Sequence, residues 1–199
     1  EKALETRRRV LGDEHPDTLF SIQQMGILLL AQGRLDEAEG YYRETLEKRR
    51  KVLGNEHPDT VTAIANMDFL FQNQGRLAEA EPYGREALEL RRRVLGEEHT
   101  LTLLSISNMC TLLMYQERLD EAEPYCYEAL EKRRRVLGEE NADTVVSINI
   151  LAYLLTEQGR LDEAMPLRLE ALEKTRRVLG EENPDTVIAV SNMGWLLKK

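Results

Sequence analysis

Three histidines and two cysteines are the side chains best suited to chemistry in this 199-residue chain. His15, His57 and His99 stand 42 residues apart, one at the same place in each of three similar stretches. Imidazole binds metals and moves protons near neutral pH. A shared metal, however, needs every ligand nitrogen about 2 Å from one ion. Copies of one repeat position lie two helix layers apart, at roughly 10 Å per layer. The histidines therefore cannot meet at one ion. Cys110 and Cys126 form no zinc spacing, and no nucleophile motif or glycine-rich phosphate loop is present. Asp and Glu are numerous but lie at expected helix starts and in loops, where capping and solvation account for them. The expectation is a non-catalytic protein with no cofactor and no metal.

What positions the histidines is a repeat. "VLG" begins at Val10, Val52, Val94, Val136 and Val178, in steps of 42. The strings that follow are "DEHPDT", "NEHPDT", "EEHTLT", "EENADT" and "EENPDT". A second string, "QGRLDEAE" from Gln32, returns at Gln74, Gln116 and Gln158 with small changes. A fixed period marks a repeat array. Each unit is too small to bury its own core and must stack on its neighbours.

One unit reads as a helix, a tight turn, a second helix and a loop. In "PDTLFSIQQMGILLLAQ", Leu19, Ile22, Met25, Leu29 and Leu30 have helical spacing. In "LDEAEGYYRETLEKRRKVL", Leu35, Ala38, Tyr42, Leu46 and Leu53 do the same. Gly33 marks the reversal between them. At the junction, the "RRR" run suits the negative end of a helix dipole, and Gly12 suits the position just past the helix. His15, His57, Asn141 and Asn183 then fall at N-caps, with Pro16, Pro58 and Pro184 at the first helical position. "EEHTLT" lacks both Pro and Asp, which predicts a frayed or shifted helix start near Thr100. Ala38, Ala80, Ala122 and Ala164, with Leu35, Leu77, Leu119 and Leu161, are expected core.

These motifs resemble a known family. "GR…EA…Y…AL" is similar to tetratricopeptide repeats, and "LGxEHPDT" with "EAExxYxEALExRRRVLG" resembles the 42-residue repeats of kinesin light chains. The resemblance covers essentially the whole chain. It implies an all-α fold, a right-handed α-solenoid of antiparallel helix pairs, whose first helices line a concave groove that binds a peptide or protein segment. The register gives ten helices in one array over 1–199. A partial second helix spans 1–11, full pairs span 16–54, 58–96, 100–138 and 142–180, and an unpaired first helix spans 184–197. Ending on Trp195, Leu196 and Leu197 without a partner helix, the chain reads as a piece of a longer array.

By that resemblance the groove carries Gln24, Asn66, Phe69, Asn108, Thr111, Tyr115, Asn149, Tyr153, Asn192 and Trp195. Amides both donate and accept, so a ladder of them can hold an extended backbone. Aromatic residues can anchor a partner. The alternative is that these amides and rings serve packing. The first helices carry no Lys or Arg before Lys198. A carboxylate clamp and the acidic-cargo mode of kinesin light chains are therefore not expected. The basic runs could form a ridge for phosphate or an acidic partner, or simply pair with neighbouring Glu.

Two variable positions change together. Gly26, Asp68, Cys110 and Ala152 share one position on the first helix; Tyr42, Gly84, Cys126 and Arg168 share one on the second. Small opposite large suggests contact at constant volume. That places Cys110 near Cys126, read as two reduced thiols acting as small hydrophobes, with a redox disulfide as the alternative if their Cα atoms lie within about 7 Å.

A formal net charge of −9 argues against a nucleic-acid partner, and no apolar run reaches a membrane span. The function expected is a protein-protein interaction scaffold in the cytoplasm. The alternatives are a sensor or regulatory segment of a nucleotide-switch signalling protein, or a cargo adaptor. End-to-end self-association is a further possibility.

Overall fold

The computed structural model describes residues 2–180. Among them are nine helices and no strand: α1 (Lys2–Leu11), α2 (Pro16–Ala31), α3 (Leu35–Leu53), α4 (Pro58–Asn73), α5 (Leu77–Leu95), α6 (Thr100–Tyr115), α7 (Leu119–Leu137), α8 (Ala142–Glu157) and α9 (Leu161–Leu179). The tenth expected helix, with Asn192 and Trp195, lies outside the described residues, as do Asn183 and Pro184. The chain divides into two compact units, Glu1–Ser105 and Ile106–Lys199. In the first, α1 packs on α2, α2 on α3, α3 on α4 and α4 on α5; in the second, α7 packs on α8 and α8 on α9.

The caps explain why the helices start where they do. His15 Nδ1 accepts the Asp17 N–H at 3.2 Å, His57 does the same for Asp59, and Asn141 Oδ1 accepts the Asp143 N–H at 2.9 Å. The expected fraying at Thr100 does not occur. His99 Nδ1 caps the Leu101 N–H at 3.2 Å, and the buried Thr102 hydroxyl donates to the Gly96 carbonyl at 2.8 Å. The histidine and threonine of the motif suffice; proline and aspartate only reinforce them. The threonine tie recurs from Thr144 to the Gly138 carbonyl at 2.8 Å, whereas the equivalent buried hydroxyls of Thr18 and Thr60 make no hydrogen bond.

Between the helices of a pair, the chain reverses through a six-to-one hydrogen bond. The N–H groups of Arg34, Arg76, Arg118 and Arg160 donate to the carbonyls of Leu29, Phe71, Leu113 and Leu155. This turn needs one residue at positive φ, which Gly33, Gly75 and Gly159 supply. In the third turn Glu117 takes the place at φ 61°, a conformation costing a non-glycine residue about 1 kcal/mol.

The "RRR" runs are the joints of the array. The first arginine is buried and reaches the start of the next first helix. Arg49 Nη1 donates to the Asp59 carbonyl at 2.8 Å. Arg91 donates to the Leu101 carbonyl at 3.1 Å and to Ser105 Oγ at 2.7 Å. Arg133 donates to the Asp143 carbonyl at 3.0 Å and to Ser147 Oγ at 2.7 Å. Arg7 reaches Asp17 and Ser21 in the same way. Burial pushes the pKa of Arg49, Arg91 and Arg133 down, opposed by Asp59, Asp68 and Asp143 respectively. The second arginine spans to the next second helix: Arg8 to Glu44 at 2.8 Å, Arg50 to Glu86 at 2.7 Å, Arg134 to Glu170 at 2.6 Å. The third basic residue turns back to the previous loop, with Lys51 on Glu14, Arg93 on Glu56 at 2.8 Å and Arg177 on Glu140 at 3.1 Å. The second and third members of the run thus pair with glutamates of adjacent repeats, while the first is held by backbone carbonyls.

Within a pair, Ala38, Ala80, Ala122 and Ala164 are fully buried where the helices cross. The leucines expected beside them are less deep. Leu35, Leu77 and Leu119 are half-buried and Leu161 is exposed, because they open their helices at the turn end. The paired exchange is real in α2 and α3. A Cβ placed on Gly26 would lie 2.7 Å from Tyr42 Cε1, so only glycine admits the ring. Gly26→Ala is therefore expected to cost about 1–3 kcal/mol in urea unfolding, and nearly nothing in a Tyr42→Ala background. An equal cost in both backgrounds would show that the two sites do not meet.

Candidate protein-binding face

Each described first helix has one side that its partner helix and neighbours leave exposed in part. On α2 that face carries Phe20, Gln24 and Ile27, with Phe20 54% exposed. On α4 it carries Thr62, Asn66, Phe69 and Asn73, with Phe69 51% exposed. On α6 the positions are Leu104, Asn108, Thr111 and Tyr115; on α8 they are Val146, Ile150, Tyr153 and Glu157, with Asn149 exposed beside them. The spacing of four, three and four keeps each set on one side of its helix. Phe20 escaped the sequence reading because its equivalents, Thr62, Leu104 and Val146, share no chemistry with it.

The expected site residues fall out as follows. Gln24 and Asn149 are exposed; Asn66 and Asn108 are half-buried; Phe69, Tyr115 and Tyr153 are exposed. Thr111 turns its hydroxyl onto the carbonyls of Ser107 and Asn108 at 3.3 and 3.0 Å, so it is engaged within its helix. Gln24, Asn66, Phe69 belong to the first unit and Asn108, Thr111, Tyr115, Asn149, Tyr153 to the second. Asn66 Nδ2 is shut from solvent with no hydrogen-bond partner. An unmet buried donor costs about 1–3 kcal/mol.

Two residues after that amide, Asp68 turns inward and is 3% exposed. It occupies the crossing position that is Gly26 in α2, opposite the position of Gly84. Burial pushes its carboxyl up to about 6, against the hydrogen bond from Gln72 Nε2 at 2.8 Å and the charge of Arg91. At the same crossing in the second unit, Cys110 and Cys126 are joined by a disulfide, with Cα atoms 5.2 Å apart. The reading as two reduced thiols is thereby corrected. The crossing brings the two α-carbons close enough for the bond, a distance that composition does not reveal.

Charge is segregated. The described first helices hold no Lys or Arg, whereas the turn arginines Arg34, Arg76, Arg118 and Arg160 pair with carboxylates. Arg76 bridges Glu39 at 2.6 Å and Glu79 at 2.7 Å; Arg160 repeats this with Glu123 at 2.6 Å and Glu163 at 2.7 Å. Burial raises the Glu39 pKa, but hydrogen bonds from Arg43, Gln74 and Arg76 outweigh it and hold that carboxyl below its usual range. Arg76 also lies over the Phe71 ring, 4.4 Å from its centroid. Among the described residues no cluster of three or more His, Cys, Asp or Glu could hold a metal ion, and no helix is long and apolar enough to cross a membrane.

A tetratricopeptide repeat model matches residues 1–17, 18–59 and 62–101, and a second tetratricopeptide repeat model matches 101–166. The chain belongs to the tetratricopeptide repeat family. No curated protein matches the sequence. The crystal structure of BtubC (BKLC) from P. vanneervenii is similar at a TM-score of 0.83 and 23% identity, over 99% of this chain and 80% of that one. Two crystal structures of a Podosopora anserina protein, described as a kinesin light chain with nearly identical TPR-like repeats, are similar at TM-scores of 0.79 and 0.77. Both are 20% identical and span 89% and 88% of this chain, and 84% and 83% of theirs. The fold is an α-solenoid of kinesin-light-chain-like tetratricopeptide pairs. Repeats of this kind form protein-protein interaction scaffolds.

The inward carboxylate of Asp68 gives this scaffold a pH signature. Its folded pKa lies above the ordinary carboxylate value of about 3.9, so the folded state holds the proton more tightly. The stability this contributes is complete below about pH 4 and is lost as the pH rises through about 6. Asp68→Asn, which keeps the Gln72 hydrogen bond, should exceed the wild type by about 1–3 kcal/mol at pH 8 and match it near pH 4 in urea titrations.

Proposed function

We propose that the chain is a non-catalytic scaffold that lays a peptide or protein segment along the open faces of its first helices. The observation that carries this reading is the composition of those faces. Phe20, Ile27, Phe69, Leu104, Tyr115, Val146 and Tyr153 project between amides, with no basic residue among them. Such a surface suits an apolar segment whose own backbone or polar side chains meet Gln24, Asn66, Asn108 and Asn149. A carboxylate-ended or strongly acidic ligand would find no cation there. The ligand class is therefore an uncharged or weakly basic segment with large apolar residues.

Asn66 sits half-buried on the same side of α4 as Phe69. Its unmet donor lowers stability, and nothing in its helix uses it. Binding would draw on side chains carried by helices that are already formed, so little ordering cost falls on the receptor. We further propose that residues 1–199 act as one repeat array in a cytoplasmic setting.

The test is a peptide-array screen with the intact chain, followed by titration of the best binder. Phe69→Ala and Tyr153→Ala should each weaken binding about tenfold, and Asn66→Ala with Asn108→Ala should weaken it without lowering the melting temperature. Undiminished binding in all three variants would remove the site from these faces. Equal loss of stability would make the amides structural.

A further inference from the structure

The Cys110–Cys126 bond ties α6 to α7 at a crossing that the other helix pairs make without a covalent link. Gly26 opposes Tyr42 there in α2 and α3, through contact alone. Positions Asp68 and Gly84 correspond in α4 and α5, and Ala152 and Arg168 in α8 and α9. All four pairs have helices of the same bounds, a first helix of 16 residues and a second of 19. The bond is therefore not what makes a pair fold. Alanine at the position of Cys110 and glycine at that of Cys126 are both accommodated elsewhere, so a pair of thiols also fits as small apolar side chains. Both cysteines are 1% exposed, and Met114 Sδ packs 3.7 Å and 3.9 Å from their sulfurs.

We propose that Cys110 and Cys126 form a reversible redox lock on α6, closed in an oxidising milieu and open in a reducing one, with the helix pair folded in both states. Closing takes two electrons and two protons from the two thiols. A small-molecule disulfide such as oxidised glutathione accepts them and leaves as two thiols. Opening is the reverse: a thiolate of the reductant attacks one sulfur, passes through a mixed disulfide, and is displaced by a second thiol. Because both sulfurs are shut from solvent, either exchange proceeds only through local separation of α6 from α7. The lock thus reports, and fixes, how freely α6 moves against its partner. Asn108 and Tyr115 lie on the open side of the same helix, so the redox state sets the mobility of that surface whatever binds it.

The experiment uses the intact chain equilibrated in glutathione buffers from fully reduced to fully oxidised. Thiols are trapped and counted, and backbone hydrogen exchange is measured at each end. Two thiols are expected at the reducing end and none at the oxidising end. On reduction, exchange in α6 and α7 should rise at least about tenfold, while α2 to α5 and the helical circular dichroism stay unchanged. The Cys110→Ala, Cys126→Ala double variant should exchange like the reduced protein and ignore reductant. Two free thiols in the most oxidising buffer, identical exchange in the two states, or loss of helical signal on reduction would each overturn the proposal.

Discussion

A guanidinium with almost no access to water sits where one pair of helices hands over to the next. Arg49, Arg91 and Arg133 are about 95% buried, and each donates to a backbone carbonyl in the first turn of the following helix. A charge placed there needs the acceptors that Nη1 finds, and removing either side leaves the other unmet in a dry place. That requirement fixes the distance and direction between the end of a second helix and the start of the next first helix. The accompanying His or Asn cap, the buried Thr and the glycine past the helix end serve the same junction. The 42-residue string recurs because this junction recurs.

With the junctions and the alanine crossings fixed, other positions are free to differ. The crossing beneath the first helices holds glycine against tyrosine in one pair, a carboxylate in the next and a disulfide in the third. These are three ways of filling similar space, with different responses to solvent conditions. The outer faces of the first helices differ more, since no neighbour constrains them.

Much of the scaffold could be read from the residues. His15, His57 and Asn141 announce helix starts, and glycine at the reversals announces the turns, because capping and positive φ are local demands. The pairing of Gly26 with Tyr42 was legible as a volume exchange. Other features were not, because their partners are distant in sequence. The three members of "RRR" look alike, yet one reaches ten residues on, one thirty-six on and one thirty-seven back. Only stacking sorts them. The weak look of "EEHTLT" misled because proline and aspartate are more conspicuous than the cap and the buried threonine. Cys110 and Cys126 were placed together by the exchange pattern, but their bond depends on a distance. On the open faces, Phe20 lacked any recurring partner type.

The central claim is that a helix pair owes its structure to its neighbours through these junctions. The most direct measurement compares urea unfolding of residues 58–96, a single pair, with that of the whole chain by circular dichroism. The account predicts that the isolated pair shows weak helicity and no cooperative transition. A sharp transition in the isolated pair, at the midpoint of the full chain, would contradict it.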